Sequence, residues 1–227
     1  TELYSALLGL RHPWRVREVK LDLAADRVDV WVVEVAGAAW ECPECGNKAP
    51  LYDHAQERVW RHLNTCHCQT YLHARLPRVK CPEHGVRQVP APWAGPGAQF
   101  TLRCESWLID TLKECDVTGV ARLTGTSWDE AWGIGERAVA RGLARKERRI
   151  PEYIGVDEKA FAKRHRYETL VCDLKGGTVE YVVEDRTQES LERYYRQFTV
   201  KELAEVKAVA MDMWDPFIAA TQKYLPQ

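Results

Sequence analysis

The spacing of hydrophobic and polar positions changes along the chain, and each change predicts a different kind of element. Residues 15–22 and 28–35 alternate apolar with polar side chains, the period of a half-buried strand, and the turn-forming residues between them predict a β-hairpin. A further strand-like run covers residues 70–76. The segment 90–96 is dense in proline and glycine and precedes a helical pattern, so we predict a β-rich domain over residues 1–95.

Helical spacing begins at Leu102. Apolar side chains then recur at intervals of four, four and three residues, which is the stripe of an amphipathic helix: Cys104, Leu108, Leu112 and Cys115. A second, short helix would end at Gly125, and a third, capped by Thr126 or Ser127, would run to about Lys146. Helices joined by a tight turn form the helix-turn-helix outline, so residues 100–149 are predicted to be a DNA-binding domain. Plain helical hairpins share this pattern.

After Pro151 the pattern returns to strands. The predicted order is β-β-β-α-β-α, with strands over 153–157, 168–174 and 178–184, a helix over 188–197, a strand over 206–211 and a last helix near Pro216. This order is the opening of a ribonuclease-H-like domain, in which three antiparallel strands pair with a parallel fourth. The expected fold class is therefore α+β and multidomain, ending in an incomplete ribonuclease-H-like α/β domain over residues 150–227.

Composition and charge narrow the possible functions. The chain has 45% hydrophobic and 29% charged residues and no long apolar run, so it is not expected to span a membrane. Its opening residues lack the order of a signal peptide, which makes the cytoplasm the expected compartment. The 32 Lys and Arg against 33 Asp and Glu give a net charge of −1, which by itself argues against a nucleic-acid partner.

One basic segment favours a nucleic-acid partner in spite of the net charge. Residues 137–149 contain six basic residues and one acidic residue, a local charge of +5. Arg137, Arg141 and Arg145 are spaced four apart on one face of the predicted last helix, where they fit contacts to DNA phosphates. A solvated helix end, whose basic residues complement the helix dipole, is the alternative interpretation.

The paired cysteines indicate a metal rather than disulfides. Cys42-Pro-Glu-Cys45-Gly and Cys81-Pro-Glu-His84-Gly are two knuckles of matching outline. Their four side chains supply the tetrahedral sulfur and nitrogen ligands of a structural Zn²⁺ site. Two unrelated turns are the alternative.

The other cysteines and histidines give weaker signals. Cys66-His67-Cys68 has a metal-like composition, but neighbouring strand residues point to opposite faces. A packing role or an incidental surface position is therefore favoured for this tripeptide, and its role stays open. The remaining cysteines lie in apolar segments and are predicted to be core residues: Cys104, Cys115 and Cys172.

Two acidic residues fall at the ends of predicted neighbouring strands. Asp157 ends the first strand of the C-terminal domain and Asp212 follows the fourth, so both side chains would reach one edge of the sheet. Converging carboxylates repel unless a cation lies between them, and oxygen ligands suit Mg²⁺ or Mn²⁺. Such ions assist phosphodiester cleavage; acids that merely close strands and are solvated are the alternative.

Six motifs follow one another along nearly all of the chain. They are Cys42-Pro-Glu-Cys45, Trp60-Arg-His62-Leu63, Cys81-Pro-Glu-His84-Gly, Ser127-Trp-Asp-Glu-Ala-Trp132, Ile154-Gly-Val-Asp157-Glu-Lys159 and Ala210-Met-Asp212-Met-Trp214. Their order resembles that of bacterial insertion-sequence transposases of the ISL-three group, which combine zinc knuckles, a helix-turn-helix and a catalytic domain with an acidic triad.

The resemblance implies an enzyme that binds the terminal inverted repeats of its element as double-stranded DNA. It would move the element by Mg²⁺-dependent cleavage and strand transfer, acting as a homo-oligomer at the nucleoid. Ser127 and Trp128 then join the three arginines as DNA contacts, and Asp157 and Asp212 match the first two metal-binding acids.

The third acid of the triad has no counterpart before Gln227, so the chain is expected to be truncated and inactive by itself. Two other functions stay open. One is a stand-alone DNA-binding protein or transposition repressor, and the other is a ribonuclease-H-like nuclease unrelated to mobile elements.

Overall fold

The computed structural model describes residues 1–162 and 166–226, and the chain divides into two compact units, Thr1–Ala144 and Arg145–Gln227. The strands of the first unit are β1 (Trp14–Asp22), β2 (Arg27–Glu34), β3 (Leu51–His54), β4 (Arg58–Thr65), β5 (Cys68–Ala74), β6 (Pro77–Cys81) and β7 (Gly85–Gln88). Its helices are α1 (Glu2–Leu7), α2 (Leu102–Glu114), α3 (Val117–Thr124) and α4 (Trp128–Arg145). In the described part of the chain, every helix is too short or too polar to cross a lipid bilayer.

Two small sheets form the β-rich part of the first unit. The larger has the strand order β1-β2-β5-β4, with β1 and β2 antiparallel and β2 and β5 parallel. The smaller has the order β3-β6-β7 and is antiparallel. The predicted hairpin and the predicted strand at residues 70–76, which is β5, are confirmed. The strands β3, β4, β6 and β7 were not predicted from the sequence.

Tryptophan side chains build the core of this β-rich part. Trp14, Trp60 and Trp93 are buried, and the ring of Trp93 meets the other two edge-on at centroid distances of 5.0 and 5.6 Å. Alternation along β2 buries Val28, Val30 and Val32 in the same cluster. Trp93 comes from the proline- and glycine-rich segment 90–96, so this segment is packed into the core instead of being a free linker.

The three helices α2, α3 and α4 occupy the predicted positions. The side chains of Thr101 and Asp116 accept backbone N–H bonds from the first turns of α2 and α3. Gly125 ends α3 at φ +69°, a left-handed backbone conformation that favours glycine. The buried apolar side chains of the three helices form a separate core: Cys104, Leu108, Val120, Ala131 and Ile134.

The second unit is a four-stranded sheet with helices packed against it. Its elements are β8 (Tyr153–Ala162), β9 (Arg166–Asp173), β10 (Thr178–Glu184), α5 (Gln188–Tyr195), α6 (Val200–Leu203), β11 (Ala208–Met211) and α7 (Asp215–Tyr224). The strand order is β10-β9-β8-β11, in which β8, β9 and β10 are antiparallel and β11 runs parallel to β8. The predicted element order is confirmed, with the short helix α6 as an addition.

One predicted strand end is wrong. The strand that was expected to stop at Asp157 continues to Ala162, because β9 supplies backbone partners as far as Arg166. A polar run can stay in a strand when its neighbour satisfies the backbone hydrogen bonds. Asp157 therefore lies inside β8, whereas Asp212 follows the end of β11.

Candidate functional site

The two knuckles lie at the ends of the smaller sheet. Cys42 and Cys45 belong to the turn that precedes β3, Cys81 ends β6, and His84 immediately precedes β7. Each knuckle closes with a glycine in the left-handed region, Gly46 at φ +73° and Gly85 at φ +69°. A residue with a side chain rarely adopts this conformation, which explains the glycine that follows each pair of ligands.

The four predicted ligands come together in the structure. Their sulfur and nitrogen atoms all lie within 4.8 Å of one another, and the shortest separation is 3.6 Å, between Cys81 Sγ and His84 Nδ1. Cys42 Sγ lies 3.8 Å from His84 Nδ1, and Cys45 Sγ lies 3.8 Å from Cys81 Sγ. These separations are close to the edges of a tetrahedron around Zn²⁺ with bond lengths of about 2.0–2.3 Å. The residues present therefore fit a zinc ion.

The environment of Cys81 also favours metal binding. Hydrogen bonds from the backbone and the ring of His84 lower the pKa of the Cys81 thiol to about 6. A thiolate is the form of cysteine that binds a metal. Cys42 and Cys81 are buried, whereas Cys45 and His84 are half-buried, so the cluster is closed on one side and reachable from the other.

The nearby histidines are engaged elsewhere. His54 Nε2 contacts the carboxylate of Glu34. His62 is buried, and its Nδ1 lies 2.8 Å from Thr101 Oγ1. Burial lowers the pKa of His62 to about 4, so its ring is neutral at physiological pH. Neither histidine belongs to the group of knuckle ligands.

Ser127 and Trp128 stand at the start of α4. Ser127 Oγ accepts the backbone N–H of Glu130 at 3.2 Å, and Glu130 Oε2 accepts the N–H of Ser127 at 2.7 Å, which is a reciprocal capping box. Trp128 stacks on Trp132, one turn later, with ring centroids 5.3 Å apart. Both rings are about half exposed, at 48% and 50%, so the first turns of α4 present a flat aromatic surface to solvent.

The basic side chains of residues 137–149 fall into two groups, according to whether they pair with acids. Arg137 donates to Glu105 of α2 at 3.3 Å, while Arg141 and Arg145 are exposed and make no ion pair within the residues described. The other basic residues of the segment 137–149 belong to the second unit and pair with acids of that same unit, as Lys146–Glu180, Arg148–Glu202 and Arg149–Asp173. The local charge of +5 therefore overstates the free basic surface.

Asp157 lies in β8, and Asp212 immediately follows the neighbouring strand β11. In the parallel pairing of β8 and β11, Val156 is opposite Met211, and the next residue on each strand is an aspartate. Both aspartates are exposed, and across the described ranges neither makes an ion pair. Asp157 Oδ1 accepts the N–H of Glu158 at 2.8 Å. Two free carboxylates at one register position can share a cation.

Three segments of the chain match family profiles of transposases, in the order that the motifs suggested. Residues 38–84 match the profile described as the zinc-finger of transposase IS204/IS1001/IS1096/IS1165, and residues 89–139 match the helix-turn-helix domain of transposase family ISL3. Residues 154–227 match a DDE-type transposase profile of the same family. The chain belongs to the ISL3 family of transposases.

Curated relatives of this ISL3-family chain are transposases of insertion sequences. The transposase for insertion sequence element IS1557 of Mycobacterium tuberculosis is 30% identical over 223 residues, covering 94% of this chain and 49% of the relative. The transposase for insertion sequence element IS1001 of Bordetella parapertussis is 26% identical over 187 residues, covering 82% and 46%. The chain thus spans about half the length of the curated relatives that it matches.

Sequence reasoning missed one side chain that links two segments of the second unit of this ISL3-family chain. Arg186 pairs with Glu158 at 2.9 Å, and its guanidinium lies over the rings of Tyr167 and Trp214. Trp214 Nε1 donates to the carbonyl of Arg186 at 3.0 Å. Arg186 therefore ties β8 to the residues after β11. It stands 28 residues from Glu158 and from Trp214, too far for any local sequence pattern to signal.

Proposed function

We propose that this chain provides the metal-stabilised, DNA-binding part and the first portion of the catalytic domain of an insertion-sequence transposase. The proposed domains are a zinc-binding domain over residues 1–95, a helix-turn-helix over 100–149 and a ribonuclease-H-like domain over 150–227. The DNA it binds would be the terminal inverted repeats of its element. Because an element has two ends, we propose that two copies of the protein meet on DNA.

The exposed face of α4 is the observation that carries the DNA-binding proposal. Ser127 and Trp128 begin the helix, and the exposed ring of Trp128 lies on the proposed DNA-binding face. Arg141 and Arg145, free of acidic partners, would contact the backbone of the duplex further along the helix. Arg137 would join them by exchanging Glu105 for a phosphate.

A structural Zn²⁺ is proposed for the cluster of Cys42, Cys45, Cys81 and His84. Three thiolates and one imidazole complete a tetrahedral shell and leave no position for substrate. The ion would join the turn before β3 to the hairpin of β6 and β7, because two ligands come from each. Its contribution is therefore to the stability of this small sheet.

The strand order β10-β9-β8-β11, with only β11 parallel to its neighbour, supports a ribonuclease-H-like catalytic domain. Asp157 and Asp212 would hold a divalent ion there, Mg²⁺ or Mn²⁺. Such an ion, when bound, supplies positive charge to the oxygens of a phosphodiester. The contribution of Asp157 and Asp212 is to hold it at the edge of the sheet, and Arg186 keeps the two backbone segments together.

The catalytic triad implied for this family needs a third acid, which has no matched position in these 227 residues. Two carboxylates bind a divalent ion loosely, and the loss of a ligand reduces catalysis sharply. We therefore propose that this chain by itself binds DNA without cleaving it.

Footprinting tests the proposed function. The purified chain is incubated with a DNA fragment that carries one end of the insertion element flanking its gene, and protection from hydroxyl radicals is mapped. We expect protection within the terminal inverted repeat, in patches one helical turn apart. A uniform cleavage pattern across the repeat and its flanks at saturating protein would reject the proposal.

A further inference from the structure

A second group of metal-binding side chains lies on the larger sheet of the first unit, away from the knuckle sequences. Asp26, His67 and Cys68 each offer one ligand atom, and the three atoms lie within 4.8 Å of one another. Asp26 and His67 are exposed, whereas Cys68 is buried. We propose that these three side chains form a second, exchangeable Zn²⁺ site.

The parallel pairing of two strands creates this site. Arg27 at the start of β2 is opposite Gln69 at the start of β5, and Gln69 N donates to the carbonyl of Asp26 at 2.7 Å. Parallel strands begin at the same edge of a sheet, so the turn before β2 and the turn before β5 are neighbours there. Asp26 comes from the first turn, His67 comes from the second, and Cys68 is the first residue of β5.

Only Cys68 of the tripeptide Cys66-His67-Cys68 lies in a strand, at the start of β5, whereas the interpretation of the sequence treated all three residues as strand residues. Thr65 pairs with Cys68, which makes Cys66 and His67 the two central residues of a tight hairpin turn. Consecutive side chains of a turn need not point to opposite faces, so His67 and Cys68 can both face Asp26. The argument from strand alternation against a metal role therefore does not apply here.

The turn residues themselves are unusual. Cys66 has φ +56°, in the left-handed region that two-residue hairpin turns normally fill with glycine or asparagine. The composition of this turn is therefore not explained by backbone geometry. A ligand role explains why a histidine stands at position 67, where a turn former is expected.

The ligand set selects the kind of ion. A thiolate with an imidazole favours Zn²⁺ over the hard ions Mg²⁺ and Ca²⁺, and a carboxylate completes three protein ligands of a tetrahedral site. His67 Nε2 and Asp26 Oδ1 are 3.4 Å apart, near the separation of two ligands on one zinc ion. On binding, the thiol proton of Cys68 passes to solvent and the sulfur bonds to the metal.

The site differs from the cluster of Cys42, Cys45, Cys81 and His84 in two respects. It has three protein ligands instead of four, which leaves one position for water or an external ligand. Two of its ligands are exposed, so the ion can exchange with solvent. We therefore expect weaker binding than at the knuckles, and a role in holding the two turns together.

Equilibrium dialysis of the purified chain under reducing conditions tests this proposal, with zinc measured per chain across a series of free Zn²⁺ concentrations. The wild type should approach about two ions per chain, the second bound at least about tenfold more weakly. His67→Ala and Asp26→Asn should each lose the weaker ion and keep the tighter one. His12→Ala, which removes an exposed histidine outside both groups, should keep both.

Co²⁺ provides an independent readout of the thiolate. Co²⁺ added to wild type that carries a single zinc ion per chain should give a sulfur-to-metal absorption band that Cys68→Ser and His67→Ala both reduce. Binding that stops at one ion per chain, or a second ion that His67→Ala and Asp26→Asn both retain, would overturn the proposal. A second ion that follows Cys66→Ser but not His67→Ala would also contradict this ligand set.

Discussion

His62 Nδ1 and Thr101 Oγ1 are joined by a buried 2.8 Å hydrogen bond between β4 and the first helix of the helix-turn-helix. Thr101 also caps α2 by accepting the N–H of Cys104. One histidine in the β-rich part thereby supports the residue that begins the helical part. Because burial lowers the pKa of His62 to about 4, this contact is made by a neutral ring.

The first prediction concerns stability against pH. The pKa of His62 falls from an ordinary 6.5 to about 4 in the folded chain, so folding favours the neutral form. Its contribution is complete above pH 6.5 and is lost as the pH falls from 6.5 towards 4, by about 3 kcal/mol in total. In denaturant unfolding at pH 7 and 5, the wild type should lose about 2 kcal/mol more than His62→Asn. Equal losses in the two proteins would contradict this role.

The second prediction concerns the zinc cluster. Cys42→Ser removes a buried ligand, so the chain should contain one zinc ion fewer and unfold at a lower temperature. Cys115→Ser, which changes a half-buried thiol outside the cluster, serves as the control and should keep its metal. Mass spectrometry of the metal content and calorimetry measure the two effects. Unchanged zinc in Cys42→Ser would remove this residue from the site.

The third prediction concerns the free arginines of α4. Each lysine or arginine that contacts a phosphate adds about 0.9 to the slope of the logarithm of affinity against the logarithm of salt concentration. Arg141→Ala with Arg145→Ala should therefore flatten the slope on duplex DNA by about 1.8. The matched control replaces Arg148 and Arg149, whose charges are already paired with acids. Equal slopes for both double variants would exclude the α4 arginines from the interface.

The fourth prediction concerns the adjacent aspartates. The chain should bind Mn²⁺ weakly, and Asp157→Asn or Asp212→Asn should each abolish that binding, as measured by electron paramagnetic resonance of free Mn²⁺. Asp185→Asn, which changes another acid at a strand end, should leave it unaltered. The chain alone should not cleave inverted-repeat DNA in Mg²⁺ or Mn²⁺. Metal-dependent cleavage that Asp157→Asn removes would show that two carboxylates are enough.

Several parts of the architecture could be predicted from the sequence because their signals are local. The β1–β2 hairpin alternates apolar with polar residues over most of its length, the helix-turn-helix carries its caps and its glycine, and the two knuckles repeat one outline. β4 lacked such a signal, because its alternation places the polar His62 at a buried position. The alternation of apolar and polar residues in the sequence is therefore interrupted at a position that the strand buries.

The missed features of the sites depend on contacts between distant residues. Lys146 counted as part of a basic stripe, but it pairs with Glu180, 34 residues later. Asp157 was expected at a strand end, but β9 extends β8 past it. The approach of Asp26 to His67 depends on β2 and β5 being parallel neighbours, which no local period in the sequence reveals.

The affinity of the purified chain for the end of its own element tests the central claim most directly. Fluorescence anisotropy compares a duplex of the terminal inverted repeat with a shuffled duplex of the same length and composition at the same salt concentration. We predict that the repeat is bound at least about a hundredfold more tightly, at the lower end of the range for sequence-specific proteins. Equal affinities for the two duplexes, or no binding to either, would contradict the account.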